Sequence, residues 1–260
     1  MNNANPIYLR THSYYSLLES TLSPEALVQA AHENGIQTLG LTDHLYLTGA
    51  IEFYEACQAA GIRPILGLEI DIKYKAFTGR LTLLAKDQTG WANLSALSSF
   101  ALTSDEPIDI QNLIDHKNGL ICLLGGPYCI LRELIASSLQ HNRKDSYLST
   151  LQENFKSDIF IEIQRYASGP LKNEHELIQL SHEYALPLLA AQDIHYLKKK
   201  DQRFYRTLTA IKKNTTLHGL SKRDLPAGTA HFPAYQDFYN RFKDLPEALK
   251  NLQTIKDRCH

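Results

Sequence analysis

Two short stretches pair a carboxylate with an imidazole: Asp43-His44 within LTDH, and Asp193 with His195 within AAQDIHYL. Each closes an apolar run. His12 closes IYLRTH at 7–12, and Glu19 follows in the next loop; Glu69 sits in GLEI and Glu162 in FIEIQ. Imidazole nitrogen and carboxylate oxygen, drawn from several distant positions without thiolate, suit divalent zinc, manganese or iron. Such ions lower the pKa of bound water. Each residue also has a plainer reading. A lone histidine at a strand end is more often a hydrogen-bonded core or surface group, and Asp43 can simply cap the next segment. Glu69 argues harder, because a carboxylate buried in an apolar run without a partner costs several kcal/mol. Asp193 and His195, two apart on an extended backbone, share one side. The set as a whole points to a metal-type site.

The elements that must position these residues are apolar runs at 7–12, 36–42, 63–72, 80–86, 119–125, 158–164 and 186–191. Helical patterns lie between some of them. Ser23-Pro24-Glu25 predicts a start with Ser23 as N-cap, Pro24 in the first turn and Gly35 as the stop. Thr48 to Ala60, closed by Gly61, and Asn173 to Ala185, followed by Pro187, predict two more. This alternation predicts parallel strands with crossover helices: a closed or nearly closed seven-stranded barrel, or a doubly wound sheet. In a parallel barrel the strand ends carry the active site. Beyond Leu197 the strand signal stops. Helices are predicted over 201–213, 235–243 and 245–258, with a loop at 214–234 holding Pro226, Gly228 and Pro233. The expected division is a barrel over 1–197 and a helical part over 198–260.

The chain has 260 residues and a formal net charge of −1, so no global positive field draws it to nucleic acid. Cys57, Cys122, Cys129 and Cys259 are far apart and read as buried thiols of a reducing compartment. No leader-like start and no bilayer-length apolar run is evident, so the expectation is a cytoplasmic protein away from membranes. The basic cluster Lys198-Lys199-Lys200, Arg203, Arg206, Lys212 and Lys213 reads first as a solvated helix face; the alternative is a patch that meets a DNA backbone. Tyr14 and Tyr15 beside His12 read as packing, or as a stacking surface for a base.

The segments LRTHSYYSLLES, SPEALVQAAHENGIQTLGLTDH and GAIEFYEACQAAGIRPILGLEIDI resemble the polymerase-and-histidinol-phosphatase (PHP) domain at the start of bacterial DNA polymerase III α subunits. LTLLAKDQTGWANL, IEIQRYASG, AAQDIHYLKKKDQ and FYNRFKDLPEALKNLQTIKDRC extend the resemblance along essentially the whole chain. It implies a distorted (βα)7 barrel with a C-terminal helical extension and a site for one to three divalent metal ions. Active members hydrolyse phosphoesters, including 3′-to-5′ removal of nucleotides from DNA. Carried over position by position, the ligand set is His12, Glu19, His44, Glu69, Asp193 and His195, with Glu162 a looser match. Asp43 is expected to orient its neighbour; in a phosphoesterase it would orient a ligand or accept a proton, and Arg10 or Arg80 would contact the substrate phosphate.

This sequence also departs from the family pattern. Arg10 replaces the first histidine of the usual H-x-H pair, Arg80 precedes LTLLAK where many metal-binding members carry histidine, and Tyr166 follows IEIQR where histidine is common. A guanidinium stays protonated and cannot ligate a cation. Two readings follow: a metal-dependent phosphoesterase acting on DNA ends or a related phosphate, or a non-catalytic scaffold for a polymerase or proofreading subunit. A histidinol-phosphatase-like role fits the polymerase-type flanks less well. No palm carboxylates are present, so the chain cannot polymerise DNA, whether it is a piece of a longer polymerase or a free-standing relative.

Overall fold

The computed structural model describes residues 6–136, 141–221, 224–225 and 228–260; Pro226 of the predicted loop lies outside them. The strands are β1 (Ile7–Tyr8), β2 (Thr38–Leu41), β3 (Arg63–Tyr74), β4 (Phe77–Ala85), β5 (Ile108–Asp109), β6 (Leu120–Leu124), β7 (Ile159–Tyr166), β8 (Gly169–Pro170) and β9 (Leu188–Ala191). The helices are α1 (Pro24–Glu33), α2 (Ala50–Ala60), α3 (Gln88–Thr103), α4 (Ile110–Asp115), α5 (Ile130–Ala136), α6 (His141–Phe155), α7 (Glu174–Glu183), α8 (Gln202–Lys212), α9 (Tyr235–Arg241) and α10 (Pro246–Arg258).

Each of the seven apolar runs overlaps a barrel strand. They pair in the order β1, β2, β3, β4, β6, β7, with β9 beside β7. Beyond the strand ends, Thr11 bridges Ile194 in parallel, which brings the β9 side back to the β1 side and nearly closes the barrel. The expectation of parallel strands throughout needs one correction: β4 is antiparallel to both β3 and β6. The reason is length. Only two residues separate β3 from β4, too few for the crossover that parallel neighbours need. Lys75 makes this tight turn in the left-handed region, at φ 56°.

Local signals hold where they were strongest. Ser23 accepts the Ala26 amide at 3.1 Å and caps α1. Gly61 ends α2 at φ 68°, in the left-handed conformation that glycine tolerates best. Trp91 within TGWANL predicts a helix packed on the barrel and lies in α3, whereas α4 to α6 carry no such signal in the pattern. The C-terminal helices pack on the barrel beside β9 and β1. The Asn251 side-chain amide donates to Leu188 O at 2.7 Å, and the Tyr8 ring meets Phe232 and Phe238 edge-on at 5.2 and 5.1 Å. Among the described residues no helix is long and apolar enough to cross a membrane.

Candidate metal and ion-pair centre at the barrel mouth

The closing bridge builds the centre. Arg10 and His12 flank Thr11, and Asp193 and His195 flank Ile194. Alternation on extended backbone sends each pair to one side, so bridging Thr11 to Ile194 sets the four side chains together. His12 Nε2 lies 2.8 Å from Asp193 Oδ1, and His195 Nε2 lies 3.3 Å from Asp193 Oδ2. The two imidazole rings stack in parallel, with centroids 4.3 Å apart. His195 Nδ1 donates to Glu19 O at 2.8 Å, which leaves Nε2 facing the carboxylate. His12, Asp193 and His195 offer ligand atoms within 4.8 Å of one another, all buried. Their N,N,O donor set fits zinc, manganese or iron.

A second bridge pairs His44 with Glu69, and the antiparallel register sets Asp71 opposite Arg80. These place the other half of the mouth, and here guanidinium fills the centre. Arg10 is 1% exposed. Its Nη2 donates to Glu69 Oε1 at 2.7 Å and lies 3.3 Å from Asp193 Oδ1, while Nε lies 3.8 Å from Glu162 Oε2. Arg80 clamps Glu19 with two hydrogen bonds of 2.9 and 2.8 Å, reaches Glu69 at 2.9 Å, and sits 3.4 Å from Asp71. Lys212 of α8 also contacts Glu19. His44 lies between Glu19 at 3.1 Å and Asp71 at 3.2 Å.

The charges follow these contacts. Burial alone would raise Glu69, yet Arg10 and Arg80 hold it at about 2. Burial likewise works against ionised Glu19 and is outweighed by His44 and Arg80. Asp193 is held well below the carboxylate range by Arg10 and the two histidines, against its burial. Asp71 and Glu19 lift His44 to about 9 although burial opposes the charge. Glu162 is the exception. Burial pushes it up to about 7, and Arg10 offsets that only in part. It accepts from the Gln164 side-chain amide at 2.9 Å, and its Oε2 has no hydrogen-bond partner. Gly126 leaves room for it: a Cβ there would stand 2.8 Å from Glu162 Oε1.

The predicted residues therefore divide. His12, Asp193 and His195 come together with the spacing of a metal-ligand group, while the carboxylates of Glu19 and Glu69 are paired with arginine. His44 is ion-paired, and Glu162 faces Arg10. Asp43 lies behind His12 as a support: it accepts the Ser13 amide, the Ser13 hydroxyl and the Ser16 hydroxyl at 2.5–2.6 Å. Burial raises its carboxyl nonetheless. Arg80 lines a cavity of about 240 Å3 together with Glu19, Tyr128, Asp193, His195 and Lys212. Arg10 is sealed beneath the mouth. Tyr166 is buried and donates to Gln164 at 2.9 Å. Tyr15 donates to Glu52 at 3.0 Å, away from the imidazoles. Asp71 and Lys212 were missed as members of the centre. Asp71 had a readable signal, its position two residues after Glu69 on the same strand face.

The fold and this mouth define an α/β barrel with one histidine–carboxylate group and a bed of arginine–carboxylate pairs where its strands end. The chain belongs to the PHP domain family, whose model matches residues 8–166. It is 31% identical over 259 residues to "DNA polymerase III subunit alpha" of Bacillus subtilis, covering 97% of this chain and 23% of that protein. The subunits of the same name from Aquifex aeolicus and Haemophilus influenzae are each 30% identical, over 97% of this chain and 24% and 22% of theirs. The chain thus spans about a quarter of the length of these relatives. Two solved structures share the fold. An amidohydrolase from Chromobacterium violaceum, with bound sulfate and no metal, gives a TM-score of 0.54 at 15% identity, over 74% of this chain and 88% of its own. A protein from Bifidobacterium adolescentis assigned as a metal-dependent phosphoesterase gives 0.53 at 14% identity, with the same coverage.

Proposed function

We propose that this chain is the PHP module of a DNA polymerase III α-type replicase, with a barrel mouth that is chiefly structural. The mouth has room for one divalent cation, at His12, Asp193 and His195, where the family pattern implies up to three. The observation that carries this reading is Arg10, 1% exposed and ion-paired to Glu69 and Asp193 with Glu162 beside it. A second or third cation would have to displace a fixed, permanently charged guanidinium from its carboxylates. The barrel of 1–197 and the helical part of 198–260 act as one unit in this reading. Its partners are other parts of the polymerase or a proofreading subunit, in the cytoplasm.

A specific observation favours a second reading, a one-metal phosphoesterase that trims DNA 3′ ends or a related phosphate. The histidine–carboxylate group borders a cavity that Arg80 and Lys212 also line. A metal held there would supply an acidified water and charge stabilisation. In that role Arg80 holds the substrate phosphate, Arg10 fixes Asp193 from below, and Asp43 steadies the His12 segment through Ser13 and Ser16.

The deciding experiment measures phosphatase and 3′-to-5′ exonuclease turnover of the full chain with added manganese or zinc, against His12→Ala with Asp193→Ala. The scaffold reading expects the two proteins to be equally inactive. Metal-dependent turnover lost only in the double variant would overturn it in favour of hydrolysis.

A further inference from the structure

Helix α8 roofs the mouth and has two distinct sides. Tyr205, Thr209 and Lys212 face the cavity, at helical spacing. The other side, with the turn before it, carries Lys198, Lys199, Lys200, Arg203 and Arg206. From 198 to 213 there are seven lysines and arginines and a single acid, Asp201. Asp201 is used locally, accepting the Lys198 amide at 3.0 Å.

The feature that separates this ridge from an ordinary solvated helix is the density of its basic residues with so little counter-charge beside them. Arg10, Arg80, Arg165 and Arg258 each hold carboxylates, and Lys212 and Lys213 pair with Glu19 and Asp224. Lys199, Lys200, Arg203 and Arg206 have no ion-pair partner among the described residues. In a chain whose net charge is −1, this concentrates positive potential on one edge of the mouth. An aromatic ring stands in the same ridge: Phe204 is 48% exposed, with the Arg203 guanidinium 4.6 Å from its centroid. A basic track interrupted by an exposed aromatic face is the arrangement that holds phosphates and stacks a base of an unpaired strand.

We propose that this ridge binds single-stranded nucleic acid. Lys199, Lys200, Arg203 and Arg206 meet its phosphates, Phe204 stacks on a base, and α8 directs one strand end toward the mouth. An unpaired strand is favoured over a duplex because a duplex offers no free base face to Phe204. The helix is 11 residues long, about 16 Å, so the ridge reaches the cavity rim within a few nucleotides. The inference is independent of whether the mouth hydrolyses anything.

The test is fluorescence anisotropy of the full chain with a labelled strand of about twelve thymidines, from about 50 to 200 mM salt. The matching duplex and a polyglutamate of similar charge serve as competitors. The expected result is preferential single-strand binding that falls steeply with salt. Replacing Lys199, Lys200, Arg203 and Arg206 by alanine together should weaken it by at least about tenfold and lower the log–log salt slope by roughly two to three. Phe204→Ala should weaken it about fivefold or more with little change in slope. These side chains are exposed, so thermal unfolding of the variants should match the parent. No binding at low salt, or unchanged affinity in the quadruple variant, would overturn the proposal. So would equal affinity for the duplex, or displacement by polyglutamate as effective as by unlabelled strand.

Discussion

The two halves of the mouth are built from the same kinds of carboxylate and end in different states. Around His12, Asp193 and His195, imidazoles face a carboxylate and can exchange protons for a metal ion. Around Glu19, Glu69 and Asp71, arginine has already supplied the positive charge. A buried carboxylate needs a cation, and the polypeptide can provide one from its own sequence. What it gives up is exchangeability: a metal can enter, leave and acidify water, whereas a guanidinium does none of these. The family's fold is kept with these charges balanced, while the metal-type donor set is confined to one side.

Removing the fixed cation should have the largest effect on this mouth. Arg10→Ala leaves Glu69, Glu162 and Asp193 facing each other without their shared partner. Loss of one member of a buried ionic network costs about 3–5 kcal/mol, so urea unfolding should reveal a severe loss of stability. His195→Ala leaves the arginine bed intact, and a smaller loss of about 1–2 kcal/mol is expected. Equal losses from the two substitutions would erase the distinction between the halves.

Glu162 gives the next effect, and its sign is testable. Its folded pKa of about 7 lies above the ordinary 4.5, so the folded state holds the proton more tightly. Its contribution is present below pH 4.5 and is lost as pH rises from about 4.5 through 7, by up to about 3 kcal/mol. Glu162→Gln should therefore flatten the stability profile between pH 5 and 8, measured as the difference from the parent. A variant whose profile parallels the parent across that window would show that Glu162 is ionised throughout. Glu69 moves the opposite way: held at about 2, it contributes above 4.5 and loses that contribution as pH falls from 4.5 toward 2.

The smallest effect belongs to Lys212, 39% exposed where it meets Glu19. Arg80 already satisfies that carboxylate, so Lys212→Ala should change stability by less than about 1 kcal/mol. A larger loss would mean that α8 is anchored through this pair.

The sequence made much of this readable, and the rest was hidden for definite reasons. Apolar runs marked all seven barrel strands, because a strand buried in a barrel is apolar at most of its positions. The same property concealed the direction of β4, since an apolar run reads alike both ways; only the short spacing between the runs at 63–72 and 80–86, too short for a crossover, pointed to it. A helix was legible at Trp91, but the full extent of α3 was not, because its apolar residues, Trp91, Leu94, Leu97, Phe100 and Leu102, do not confine themselves to one stripe. Arg10 and Arg80 were legible as departures from a family pattern, but their partners were not. That Arg80 would clamp Glu19, 61 positions away, depends on closure of the barrel. The contact from Lys212 depends on where α8 crosses it.

If guanidinium groups hold the places that cations would otherwise take, the metal stoichiometry of the chain must reflect it. The full chain and Arg10→His would be loaded with zinc or manganese, desalted and analysed by inductively coupled plasma mass spectrometry. The parent should retain no more than about one equivalent, abolished by His12→Ala with His195→Ala, and Arg10→His should retain more than the parent. Two or more tightly held equivalents in the parent, with Arg10 in place, would contradict the account.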